Sequence, residues 1–200
     1  MSTPLAHLVD DDEAIRDALA WLLKSRGIPC TPYAQAEAFL AAWTPQLAGC
    51  IVLDMRMPGM SGLDLFDALQ ERGSRLPVIF LTGHGDVPLA VGALKKGAFD
   101  FFEKPFNDND LATRIQEAMA HDARQRAASA SADSINSRLA TLTSRERQIM
   151  DLVLAGKFNK VIADELAISM RTVEVHRANL FEKMGVKTAV ELANLIKSGH

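Results

Sequence analysis

Cysteine is nearly absent from the 200 residues: Cys30 and Cys50 are the only two. No CxxC pair or Cys/His cluster accompanies them, so neither a disulfide framework nor a thiolate metal site is expected. Both lie in apolar, strand-like runs, which predicts two buried, reduced thiols. Long apolar runs are missing as well. No stretch approaches the ~18 residues that a membrane helix needs. The N-terminus, MSTPLAHLVDDDE, turns acidic by Asp10, where a secretory signal would be basic and then apolar. The expectation is a cytoplasmic protein with no membrane partner. There is also no P-loop and no central ATPase segment, which argues against ATP-driven chemistry.

What is present suits a folded protein of two small domains: 48% hydrophobic and 24% charged residues. The net charge of −3 conceals a split. Residues 1–120 carry 10 basic against 16 acidic side chains, and residues 138–200 carry 10 against 7. An acidic front and a mildly basic back point to different partners for each part.

Along residues 1–120, short apolar runs alternate with helical patterns. His7–Asp10 is a brief strand ending in acid. Glu13–Ser25 places Ile15, Leu19, Leu22 and Leu23 on one helical face. Cys30–Tyr33, flanked by Pro29 and containing Pro32, fits a sheet edge. CIVLD (50–54) and PVIFLT (77–82) are apolar throughout, as strands buried on both faces of a parallel sheet are. Ala36–Trp43, Leu63–Arg72, Leu89–Lys96 and Asp110–Arg126 read as helices, with Asp100–Lys104 the last strand. The reading is a doubly wound, five-stranded parallel α/β domain. Residues 127–137, AASASADSINS, lack apolar periodicity and read as part of a linker, with a helical start favoured by alanine. No strand follows. Four helices do, at 143–155, 160–167, 169–184 and 188–198.

Asp10 and Asp11, Asp54, Thr82 and Lys104 stand where strands end. In a parallel sheet those ends share one edge, and ligands bind there. Clustered carboxylates need a cation, and hard oxygen donors in that number suit Mg²⁺. A hydroxyl and a lysine opposite would complete a site for a tetrahedral oxyanion. A phosphatase that phosphorylates its own aspartate needs a second carboxylate two positions later. Arg56 stands there instead.

The segments VDDDEAIR (9–16), LDMRMPGMSGLDL (53–65), FLTGHGD (80–86) and FEKPF (102–106) resemble the receiver domain of two-component signalling. The resemblance implies a flavodoxin-like fold over residues 4–122 and a phosphoacceptor at Asp54. It implies Mg²⁺ held by Asp10, Asp11, Asp54 and the backbone carbonyl of Arg56, with Asp11 a direct ligand. Thr82 would be the switch hydroxyl, Lys104 the phosphate-binding lysine, and Pro105 would follow a cis peptide bond. Phe101 would be the aromatic that turns behind Thr82, or else an ordinary core phenylalanine.

Thr143-Ser-Arg-Glu146 is a capping box. A short helix, a tight turn at Ile168–Ser169 and a second helix form a helix-turn-helix, whose second member enters the major groove. Val173, His176, Leu180 and Met184 share the inward face. The segment LTSRERQIMDLVLAGKFNKVIADELAISMRTVEVHRANLFEKMGV resembles the LuxR-type output domain, and both halves resemble FixJ-like and NarL-class regulators. The resemblance gives a DNA-binding domain over 138–200, joined by a linker at 123–137. The other sides of that second helix carry Arg171, Glu174, Val175, Arg177 and Ala178, candidates to reach bases and phosphates, and the resemblance places Lys160, Thr172, Glu174, Val175 and Arg177 toward DNA. Glu174 either accepts from a cytosine amino group or pairs with Arg171 or Arg177 in solvent. A helical protein-binding module is the alternative to DNA. The implied protein is a transcription regulator rather than an enzyme, with a sensor histidine kinase, promoter DNA and RNA polymerase as partners, a homodimer on phosphorylation, and activation as the usual outcome.

Overall fold

The computed structural model describes residues 3–83 and 86–198. The chain divides into two compact units, residues 1–125 and 126–200.

In the first unit, β1 (Leu5–Val9), β2 (Cys30–Tyr33), β3 (Gly49–Asp54), β4 (Val78–Thr82) and β5 (Asp100–Glu103) form one parallel sheet in the order β2-β1-β3-β4-β5. The proline-bearing β2 lies at an edge, where a missing N–H is tolerated. The central strand β3 is buried along its whole length, and its side chains alternate between two cores. Ile51 and Leu53 face a core with Phe39, Leu65, Phe66 and Phe80, built with α2 (Ala36–Ala42), α3 (Gly62–Glu71) and α4 (Val87–Lys95). Cys50 and Val52 face the other, with Leu8, Leu23, Leu111 and Ile115, built with α1 (Glu13–Ser25) and the start of α5 (Asp108–Ala140). Cys30 and Cys50 both register with Ala6, one strand to either side of it. At ~4.8 Å per strand they stand too far apart for a disulfide, whose Cα atoms lie within about 7 Å.

Local chemistry sets the element ends. Asp12 caps α1 by accepting from the N–H groups of Ala14 (2.9 Å) and Ile15 (3.4 Å). Ser61 and Asp64 form a capping box on α3. Residue 62 must be glycine: a Cβ there would lie 2.1 Å from the Asp54 carbonyl oxygen. That approach brings the start of α3 directly beneath the end of β3.

Helix α5 is longer than expected. It continues through residues 123–137 to Ala140, so the stretch read as a linker is helical throughout. Ala127, Ala128, Ala130 and Ala132 supply the highest intrinsic helix propensity, and Ile135 is buried.

In the second unit, α6 (Ser144–Leu154), α7 (Asn159–Leu166), α8 (Met170–Met184) and α9 (Ala189–Ser198) enclose Ile149, Val153, Ile162, Val173, Leu180, Met184 and Leu192. The Thr143–Glu146 capping box is present. Between α7 and α8, Ala167 adopts φ 52° and ψ 48°, a left-handed conformation costly for any residue with a Cβ. Ser169 then caps α8, accepting from the Thr172 N–H at 3.1 Å.

Candidate functional site

The sheet register assembles the first site. Val9 pairs with Leu53, Asp54 with Leu81, and Thr82 with Glu103. Asp10 and Asp54 therefore end neighbouring strands at one level, while Thr82 and Lys104 stand beyond. The order reverses between β1 and β3, which makes this the crevice where ligands of such sheets bind.

Lys104 Nζ donates to Asp54 Oδ1 at 2.6 Å and to Asp10 Oδ2 at 2.9 Å. Asp10 Oδ1 accepts from the Asp12 N–H and Asp54 Oδ2 from the Arg56 N–H, each at 2.9 Å. Asp10 and Asp54 are buried, at 2% and 7% exposure, and Lys104 is partly so. Burial pushes the Asp54 carboxyl above the ordinary range; Lys104 pulls it down and the charge of Asp10 raises it again. Burial also opposes the Lys104 ammonium, but its bonds to Asp54 and Asp10 carry its pKa above the usual lysine value. Thr82 is fully buried, and its hydroxyl finds no hydrogen-bond partner among the described residues, where buried hydroxyls are ordinarily paired.

Asp11 is exposed beside the pair. Among the described residues no three carboxylate, imidazole or thiol groups already surround a common point; Asp10 and Asp54 are turned toward Lys104. The donor types nevertheless suit a hard divalent cation: the carboxylates of Asp10, Asp11 and Asp54 follow or end β1 and β3. Phe101 is half-buried on β5 beside Phe80, against the α2–α4 core. The Lys104–Pro105 peptide is cis.

Sequence reasoning missed one partner here. The Arg56 guanidinium, itself exposed, binds the buried Asp86 carboxylate through Nε at 2.8 Å and Nη2 at 2.5 Å. Arg56 holds the Asp86 carboxyl below the ordinary range. Thirty residues separate the two, and no local pattern signals the pair.

The second site lies on the second unit. Lys160, Arg171, Glu174 and Val175 are exposed, and Arg177 is half-buried. Thr172 is engaged in the α8 cap, its hydroxyl 2.8 Å from that of Ser169. A shallow groove of about 560 Å³ brings together Lys160, Glu174 and Arg177 with Phe158, Asn159 and Met170, which the sequence reading did not single out; Arg171, Thr172 and Val175 do not line it. Arg177 Nη1 donates to Asn159 Oδ1 at 2.6 Å and its guanidinium lies 5.4 Å from the Phe181 ring centre. No ion pair among the described residues joins Glu174 to either arginine. Val173, Leu180 and Met184 are buried as their spacing implied, and His176 is half-buried.

An Asp10–Lys104–Asp54 cluster at the switch point of a doubly wound sheet, with a helix-turn-helix following, is the plan of a signalling receiver with a DNA-binding output. The chain matches the response regulator receiver domain over residues 6–116 and the luxR family of bacterial regulatory proteins over residues 140–196. It belongs to the response regulators with LuxR-type output, a family of transcriptional regulators. It is 46% identical over 189 residues to the transcriptional regulatory protein FixJ of Azorhizobium caulinodans, spanning 94% of this chain and 90% of that protein. Identity to the C4-dicarboxylate transport transcriptional regulatory protein DctR of Rhodobacter capsulatus is 49%, over 94% and 97% of the two chains. Among solved structures, the response regulator StyR superposes with a TM-score of 0.92 at 39% identity, covering 98% of this chain and 99% of that one. Full-length FixJ from B. japonicum superposes with a TM-score of 0.62 at 44% identity, covering 100% and 98%. Receiver domains as a family bind Mg²⁺ at the phosphorylation site, and no helix among the described residues is long and apolar enough to cross a membrane.

Proposed function

We propose that Asp54 accepts a phosphoryl group from a sensor histidine kinase in the cytoplasm. A carboxylate oxygen of Asp54 attacks phosphorus, the phosphorus–nitrogen bond of the donor breaks, and its electron pair returns to the imidazole. The observation that carries this reading is the buried Asp10–Lys104–Asp54 cluster beside a Thr82 hydroxyl that finds no partner among the described residues. Asp11, Asp54 and the Arg56 carbonyl would hold Mg²⁺, with Asp10 supporting the set; the ion supplies neutralising charge for the phosphoryl oxygens. Lys104 meets one phosphoryl oxygen as a point charge. Thr82 donates to another, and Phe101 follows it inward on β5. Phosphorylation adds charge and three acceptor oxygens at one point, which favours a homodimer through the α4 and β5 face.

The receiver occupies residues 4–122, the connecting segment 123–137 and the DNA-binding domain 138–200. Two output domains in a dimer would read a two-part promoter site, using Lys160, Arg171, Thr172, Glu174, Val175 and Arg177, and would recruit RNA polymerase to activate transcription. The test compares wild type with Asp54→Asn in acetyl phosphate and Mg²⁺, by sedimentation and by DNA titration. Wild type should dimerise and bind about 5- to 150-fold more tightly, the range of ordinary allosteric coupling. Identical association and identical affinity would overturn the reading.

A further inference from the structure

Phe158 is 81% exposed, the most exposed large apolar side chain among the described residues. A single exposed phenylalanine is ordinary on a protein surface; its company here is not. It lines the groove with Asn159 and Lys160 from the start of α7 and with Met170, Glu174 and Arg177 from α8. Val161, Met170 and Val175 are also exposed nearby, at 42%, 48% and 54%. Of the three charged residues that line the groove, two are basic, Lys160 and Arg177, against Glu174. The bond from Arg177 to Asn159 ties the two helices together at the groove. An apolar floor edged by cations complements a polyanion that carries apolar surface of its own. DNA is such a molecule, with deoxyribose and thymine methyl groups between its phosphates.

We propose that Phe158 is a DNA contact, its ring packed on the apolar flank of a nucleotide next to the phosphate that Lys160 meets. This rests on the DNA-binding reading above and adds to it a residue that holds DNA without charge. Two consequences separate it from the basic residues. An apolar contact displaces no counterions, so losing it lowers affinity at every salt concentration alike, whereas losing Lys160 also flattens the salt dependence. The contact should also tolerate another apolar side chain.

The experiment uses the full chain with acetyl phosphate and Mg²⁺, and a duplex selected by wild type from a random-sequence pool. Phe158→Ala should weaken binding about tenfold, in line with losing most of a buried phenylalanine contact, with the slope of log K against log salt unchanged. Phe158→Leu should stay within about threefold of wild type, and Lys160→Ala should lower the slope by about one. Single thymine-to-deoxyuridine replacements then identify the flank. One position that weakens wild type but not Phe158→Ala marks a thymine methyl; no such position marks deoxyribose, and either result supports the contact. Wild-type affinity or tighter binding in Phe158→Ala, with Lys160→Ala weakened, would overturn the contact while leaving the DNA reading intact. No duplex retained by wild type at all would overturn both.

Discussion

Replacing Lys104 by methionine removes the one ammonium that touches both Asp10 and Asp54. The carboxylates stay buried, at 2% and 7% exposure, and among the described residues they keep the Asp12 and Arg56 backbone N–H groups as donors. Taking one partner from a buried ion pair costs about 3–5 kcal/mol. Lys104 is itself 24% exposed, so water can enter where it stood, and the low end applies. About 3 kcal/mol is a shift of roughly a hundredfold in the folding equilibrium. The loss has a pH signature. Without the lysine, burial and the charge of Asp10 raise the Asp54 carboxyl further above its value in the unfolded chain. That cost then appears as pH rises past the ordinary aspartate range, and it is absent below it. Both tryptophans, Trp21 and Trp43, belong to the first unit, so their fluorescence in a urea titration reports that unit alone. The variant should melt earlier than wild type at pH 7 in EDTA and approach it near pH 4. Millimolar Mg²⁺ at pH 7 should narrow the gap, because a cation bound only by the folded state stabilises it. Equal midpoints at pH 7 in EDTA would refute the reasoning.

Three further outcomes are expected. Lys183 donates to the buried Glu146 at 2.7 Å and holds its carboxyl below the ordinary range. Lys183→Met should therefore cost the second unit about 1–2 kcal/mol at pH 7, the low end for a charged hydrogen bond because the lysine is one-third exposed. That stability exists above the ordinary glutamate pKa and fades as pH falls through the lowered one, so acid should close the gap in circular-dichroism melts. His7 is buried against Phe39, and burial pushes its imidazole pKa down. Wild type should then lose stability as pH falls below about 6.5, where the unfolded histidine takes up a proton; His7→Leu should show a flatter profile, and parallel profiles would count against the burial argument. Ala167→Gly should stabilise the second unit by about 0.5–1 kcal/mol by relieving the left-handed alanine, and a lower melting temperature would show the turn to be unstrained.

Much of this architecture is legible in the chain because it rests on local patterns. β3 and β4 announce themselves as short apolar runs, Pro32 marks an edge, and Thr143 with Glu146 announces the start of α6. Once five β/α units are counted, the topology brings Asp10, Asp54, Thr82 and Lys104 together. The continuation of α5 is not legible in the same way. Residues 127–137 have no apolar stripe, so amphipathicity is silent and only alanine's propensity speaks for a helix. The Arg56–Asp86 pair and the groove around Phe158 depend on side-chain directions across separate elements, which no spacing rule encodes. Phe158 in particular looks like a strayed core residue until the groove gives it neighbours.

The bond between Arg177 and Asn159 has a kinetic side. A free arginine on a recognition helix samples many rotamers, and stilling such a side chain in a complex costs about 0.5–1.5 kcal/mol. Here the guanidinium is already held by Asn159 and lies near the Phe181 ring. Its ordering is completed during folding, before any duplex arrives. If Arg177 meets DNA, it does so as a rigid element, and rigidity of that kind prolongs residence more than it speeds encounter. Asn159 would then govern how long the protein stays on its site through its hold on the arginine.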